Sequence, residues 1–184
     1  MMNSLLRHLL PRQTGRASAK EAWARVSPGA DVLFLDFQGV LHPWATETYE
    51  CLPHLYTVLD ALPDLQLVVS STWHHYAPRS TVLANIDPDY RDRFKDSLFI
   101  HVRSPMTREV LIRQFARHHR IRSFTVVDAH PRRFRKSCQW VFQIPANEGL
   151  NAHRARALIH FITHQHLRQS TPSPTLSRKE MPTC

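Results

Sequence analysis

Asp31–Pro43, DVLFLDFQGVLHP, is the stretch whose reading decides the fold. Val32–Leu35 is an apolar run rich in strand formers, and it delivers one carboxylate, Asp36, into a turn built around Gly39. Glycine at that place marks a backbone that turns tightly or approaches a ligand closely. An acid at the carboxyl end of a buried strand stands where open α/β sheets bind their ligands. Two further runs end in the same way: LQLVVSSTWH (Leu65–His74) and FTVVDAHPRRF (Phe124–Phe134). Three apolar strands with polar tips predict one crevice.

The segments between these strands read as helices. Leu52, Leu55, Leu59 and Leu62 repeat at helical spacing between Thr48 and Leu62, with Pro53 suited to a first turn. Ala77–Asn85 predicts a short helix, DPDYRDRFKD after it an exposed loop, and Leu98–Val102 a short strand. Thr107 caps a helix to about His119, with Val110, Leu111, Phe115 and His118 on one face. Trp140–Ile144 is a further strand, and Asn151 caps a last helix with Ala155, Leu158, Ile159 and Ile162 inward. Strands alternating with helices predict a parallel sheet covered on both faces.

Composition fits one domain with appendages. The chain has 184 residues, 42% of them hydrophobic and 21% charged, which excludes a disordered class. No apolar run reaches the roughly 18 residues needed to cross a bilayer. Residues 1–30 read as a basic, flexible arm, because Arg7 and His8 interrupt the apolar core that a secretory leader needs. Residues 31–168 form the domain, and the Ser/Thr/Pro-rich residues 169–184 a disordered tail. Cys51, Cys138 and Cys184 are odd in number and lack ligand spacing, which points to a reducing, cytoplasmic setting with Cys51 and Cys138 buried. The net charge is +9, and ten Lys/Arg between Arg103 and Lys136 face only Glu109 and Asp128. That imbalance attracts polyanions; a solvated basic helix face is the plain alternative.

Taken together, LFLDFQGVLHP, VVSSTWH, RSPMTREVLIRQF, FTVVDAHPRRF and NEGLN resemble the haloacid dehalogenase-like (HAD) phosphohydrolases. The nearer likeness is to the HAD domain of Swiss Army Knife RNA repair proteins, over about Asp31 to Arg168. The resemblance implies a three-layer, Rossmannoid parallel sheet, and the short interval between Asp36 and Ser70 leaves little room for a cap domain. It implies a hydrolase (phosphatase) site in which Asp36 is the nucleophile and forms an aspartyl-phosphate. Ser70, with Ser71 beside it, and Arg108 would bind the phosphate, with Arg103 and Arg113 as competing cations. Mg²⁺ would be held by Asp36, the backbone carbonyl of Gln38 and Asp128. A phosphate monoester, a nucleic-acid end among the candidates, would be the substrate, with RNA or DNA bound through Arg132, Arg133, Arg135 and Lys136.

The chain departs from the family pattern at three points, one of them His74, where the nearer branch often has Arg after the Trp of its second motif. Gln38 stands where the family has its general acid, and Ala129 where a second acid often follows Asp128. A carboxamide cannot exchange a proton at neutral pH, and that help is worth about 10²–10⁴-fold. His42 and His74 are stand-in donors by position, against the plainer expectation of surface histidines. Trp73 and Tyr76 offer stacking surfaces or core aromatics. A second reading follows: a non-catalytic pseudo-phosphatase that binds a phosphorylated or polyanionic partner.

Overall fold

In the computed structural model, residues 23–170 are described except 45, 47, 72–77, 99–106 and 131. The expectations for His74, Trp73, Tyr76, Arg103 and Cys184 lie outside the described residues, as do those for most of the arm and tail.

Five parallel strands form the sheet: β1 (Asp31–Leu35), β2 (Gln66–Val69), β3 (Phe94–Ser97), β4 (Ser123–Asp128) and β5 (Val141–Gln143). Their order is β3-β2-β1-β4-β5, with every neighbouring pair parallel. β1 lies at the centre and is buried along its whole length, which is why Val32–Leu35 is continuously apolar rather than alternating. Its side chains divide between two cores by the period of two. Leu33 and Leu35 join α1 (Leu52–Ala61) and α4 (Ala152–Ser170) through Leu55, Leu59, Leu158 and Ile162. Val32 and Phe34 meet α3 (Arg108–His118) through Leu111, Ile112 and Phe115. The result is the expected three-layer α/β fold. Between β1 and β2 the described residues hold a turn and α1.

Helix ends follow the sequence closely. Thr107 accepts a hydrogen bond from Val110 N at the start of α3, and Asn151 Oδ1 accepts one from Arg154 N at the start of α4. The buried stripe of α3 differs from the expected one. Val110 is 40% exposed and His118 is exposed, whereas Arg108 and Glu109 are buried with Leu111, Ile112, Phe115 and Ala116. Two charged residues open the buried face, so the hydrophobic pattern alone misplaces its phase.

The segment read as an exposed charged loop is also corrected. It holds a 3₁₀ turn (Pro88–Arg93) and most of β3, while α2 (Arg79–Val82) occupies part of the helix expected before it. Phe94 and Asp96 point inward and are buried, and Lys95 between them is half-buried. The alternation of an edge strand was therefore masked by charge. The strand expected at Leu98–Val102 begins after β3 ends, and most of it lies outside the described residues.

Arg93 has a structural task in this segment. Its guanidinium donates to Leu62 O and Leu65 O, each at 2.6 Å, closing the carboxyl end of α1. Burial pulls its pKa below the ordinary arginine value. At the amino-terminal side, Val26 is buried and Trp23 packs on the core, so the domain's packing begins before residue 30. Cys51 and Cys138 are buried thiols, and desolvation pushes the Cys51 thiol up.

Replacing Arg93 by Ala removes charged donors from the carbonyls of Leu62 and Leu65, so about 1.5–3 kcal/mol of stability should be lost. Urea denaturation should show a lower midpoint with an unchanged slope.

Candidate active site

Strand register assembles the site. Leu35 pairs with Val69 on one side and Val127 on the other, so the next residues of β1, β2 and β4 emerge at one level. These are Asp36, Ser70 and Asp128. Backbone bonds fix that level: Asp36 N donates to Val127 O at 3.0 Å, and Ser70 N donates to Leu35 O at 2.8 Å. β1 and β4 flank the point where the strand order reverses, the place at which doubly wound sheets open a crevice.

The turn after Asp36 is held from below. Gly39 has φ +76°, and a Cβ there would stand 2.6 Å from Ala129 Cβ. Leu150 N donates to Val40 O at 2.8 Å, and Trp44 N donates to Ala146 O at 2.9 Å. The NEGLN segment thus props the loop that carries the site. Asp36 Oδ1 accepts from Phe37 N at 3.0 Å, which leaves Oδ2 directed at the cations.

Asp36 and Asp128 are both buried, and a pair of carboxylates in a dry site demands counter-charge. Arg108 supplies it from the first turn of α3. Its Nη1 lies 3.1 Å from Asp36 Oδ2 and 2.6 Å from Asp128 Oδ2. Arg113 instead sits 4.0 Å from Glu109. Of the two cations the sequence offered on this helix, the structure brings Arg108 to the carboxylates.

The sequence reading did not name His130, and it gave Arg133 to the polyanion-binding cluster rather than to the carboxylates. Arg133 Nη1 lies 2.5 Å from Asp36 Oδ2 and 3.4 Å from Asp128 Oδ2. His130 Nδ1 lies 3.5 Å from Asp36 Oδ2 and 3.4 Å from Asp128 Oδ1. His130 N also donates to Asp128 Oδ1 at 2.7 Å, so the turn after β4 wraps around its own carboxylate. The only sequence signal was their place, two and five residues beyond Asp128 in a segment without periodicity.

Position 129 has a different meaning from the one its sequence suggested. Ala129 is buried in the core beside Val40 and Ile144, with its Cβ against Gly39. His130 is the next side chain that faces the carboxylates. Gln38 is half-buried at the turn. His42 is 1% exposed, with Nδ1 at 3.2 Å from Pro43 O and its ring against Tyr49. The surface reading of His42 is overturned by that burial, since the loop folds the imidazole inward.

Ser70 is fully buried, and among the described residues its Oγ has no hydrogen-bond partner. Ser71 beside it is buried as well. His130 Nδ1 is likewise without a hydrogen-bond partner, although both carboxylates face it. A buried hydroxyl left in this way costs about 1–3 kcal/mol, so the site holds groups suited to a ligand. Asp36, Asp128 and His130 place ligand atoms within 4.8 Å of one another. Two carboxylates fit a hard divalent cation such as Mg²⁺, and an imidazole extends the fit to softer ions such as Mn²⁺.

The family described as the HAD domain in Swiss Army Knife RNA repair proteins matches residues 32–155. The chain belongs to this family. Its HAD-like fold and phosphohydrolase-type site follow from that membership and from the all-parallel sheet. No curated protein and no solved structure matches the chain. Among the described residues, no helix is long and apolar enough to cross a membrane.

Arg108→Ala leaves two buried carboxylates short of their deepest counter-ion. Breaking such a buried arrangement costs about 3–5 kcal/mol, so thermal denaturation should shift strongly downward. Added Mg²⁺ should recover part of the loss, because a bound cation restores the missing charge. A small shift, insensitive to Mg²⁺, would contradict this account of the pair.

Proposed function

We propose that this HAD-like domain is an Mg²⁺-dependent phosphohydrolase or phosphotransferase acting on a phosphate monoester. The observation that carries the reading is the buried Asp36–Asp128 pair at adjacent strand ends, with Arg108 between them and the orphaned Ser70 hydroxyl alongside. In this reading Asp36 is the nucleophile: its carboxylate oxygen bonds to phosphorus as the ester P–O bond breaks. Ser70 Oγ and neighbouring backbone N–H groups bind the phosphoryl oxygens, and Arg108 neutralises the aspartate pair and the incoming phosphate. Asp36, the Gln38 carbonyl and Asp128 hold Mg²⁺, which supplies charge stabilisation when bound.

The leaving oxygen departs with the bonding electrons and needs a proton that Gln38 cannot give. Leaving groups that are stable as anions escape this requirement. Aryl and acyl phosphates should therefore turn over measurably, and alkyl esters slowly. Asp36→Asn should abolish Mg²⁺-dependent release of phosphate from an aryl phosphate, while Gln38→Asp should raise alkyl-ester turnover about 10²–10⁴-fold. Equal residual rates in wild type and Asp36→Asn would reject catalysis.

That outcome would favour the second reading, a binding module without turnover. Gln38 supports it, and so does the direct contact of Arg133 with the proposed nucleophilic oxygen.

The substrate we favour carries its phosphate at the end of a nucleic acid. The family description names RNA repair, and the net charge of +9 suits a polyanion. Arg132, Arg135 and Lys136 are exposed, with Arg135 also 3.8 Å from Glu109. Arg133 is withdrawn from the surface cluster because it turns into the site. Single-stranded RNA should bind without sequence preference and weaken steeply with salt. Neutralising Arg132 and Lys136 together should lower the salt slope by about two. An unchanged slope and affinity would exclude that surface.

A further inference from the structure

We infer that Arg133 is a displaceable internal cation that competes with the divalent ion for Asp36 Oδ2, so that metal and phosphate bind with positive coupling through it. The inference rests on the phosphohydrolase reading above and concerns how that site is charged.

The two arginines at the site differ in kind. Arg108 projects from the first turn of a helix, and its side chain is 5% exposed. Arg133 belongs to the irregular segment between β4 and β5, and its side chain is 24% exposed at the rim. Its Nη1 touches Asp36 Oδ2 at 2.5 Å, while an Nη2 contact of 3.2 Å to His130 Nε2 steadies the same fork. One guanidinium therefore lies against all three groups that could hold a metal, Asp128 Oδ2 at 3.4 Å included.

Charge makes the two occupants exclusive. Two carboxylates and two guanidiniums sum to zero, so a divalent ion meets a cluster already neutralised. Like charges in a dry site repel strongly, and the ion would share its carboxylate oxygen with Arg133. Arg108 is rooted in a helix, so Arg133 is the cation able to yield. Once it yields, a phosphate dianion offers the guanidinium a bidentate partner of the kind arginine prefers. Phosphate therefore favours the state that admits the metal, and by linkage the metal favours phosphate equally.

Isothermal titration of Mg²⁺ into the full chain tests this, with and without inorganic phosphate. Arg133→Ala should bind Mg²⁺ about tenfold more tightly than wild type in the absence of phosphate, within the 5–150-fold typical of coupled sites. Phosphate should tighten Mg²⁺ binding in wild type and do so much less in Arg133→Ala. Arg133→Lys retains the charge without the fork and should lie between them. It also serves as the test should the alanine variant fold poorly, as judged by circular dichroism. Mg²⁺ affinity and phosphate coupling unchanged by both substitutions would overturn the inference. In that case, binding abolished by Asp128→Asn would leave the metal-site reading standing. No Mg²⁺ binding to wild type or either variant, even with phosphate, would overturn both.

Discussion

The centre of this molecule depends on a buried charge cluster in which Arg108 is the deeper of two guanidiniums. Arg108 lies between two carboxylates that the sheet register forces to the same level. Without a cation there, Asp36 and Asp128 would be two like charges in an interior that hydrates neither. Fold and site are thus one problem. The register that buries Leu35 and Val127 also brings the acids together, and α3 must dock in a phase that turns Arg108 inward. That requirement explains why a charged residue, and not Val110, opens the buried face of the helix.

Positions 38 and 129 play unequal parts. Ala129 faces the core, where its small side chain allows the close approach of Gly39; the group facing the carboxylates from that turn is His130. Gln38 is half-buried at the turn, and its carboxamide is neither a charge partner of the Asp36–Asp128 pair nor a proton donor at neutral pH. The site therefore sets two buried carboxylates, their guanidiniums and a buried serine hydroxyl side by side, with a carboxamide at position 38.

Much of this architecture was legible in the sequence because the central strands are buried on both faces. β1, β2 and β4 are continuous apolar runs ending in Asp36, Ser70 and Asp128, and helix caps at Thr107 and Asn151 announced α3 and α4. The less visible elements are those in which charge performs a structural task. β3 hid behind Arg93 and Lys95, although Arg93 closes α1 and Phe94 lies in the core. His130 and Arg133 were obscured because a loop has no period from which side-chain direction can be read. Only the path of the chain after β4 reveals that Arg133 turns inward while Arg132 stays outside.

The most direct test of the account is to look for the phosphoryl group on the protein. The chain would be incubated with an acyl phosphate and Mg²⁺, quenched in acid and mapped by peptide mass spectrometry. The account predicts one added phosphoryl group on the peptide containing Asp36, lost on treatment with hydroxylamine and absent from Asp36→Asn. Phosphorylation mapped to another side chain, or none under conditions where phosphate is bound, would contradict the central claim that Asp36 is a nucleophile.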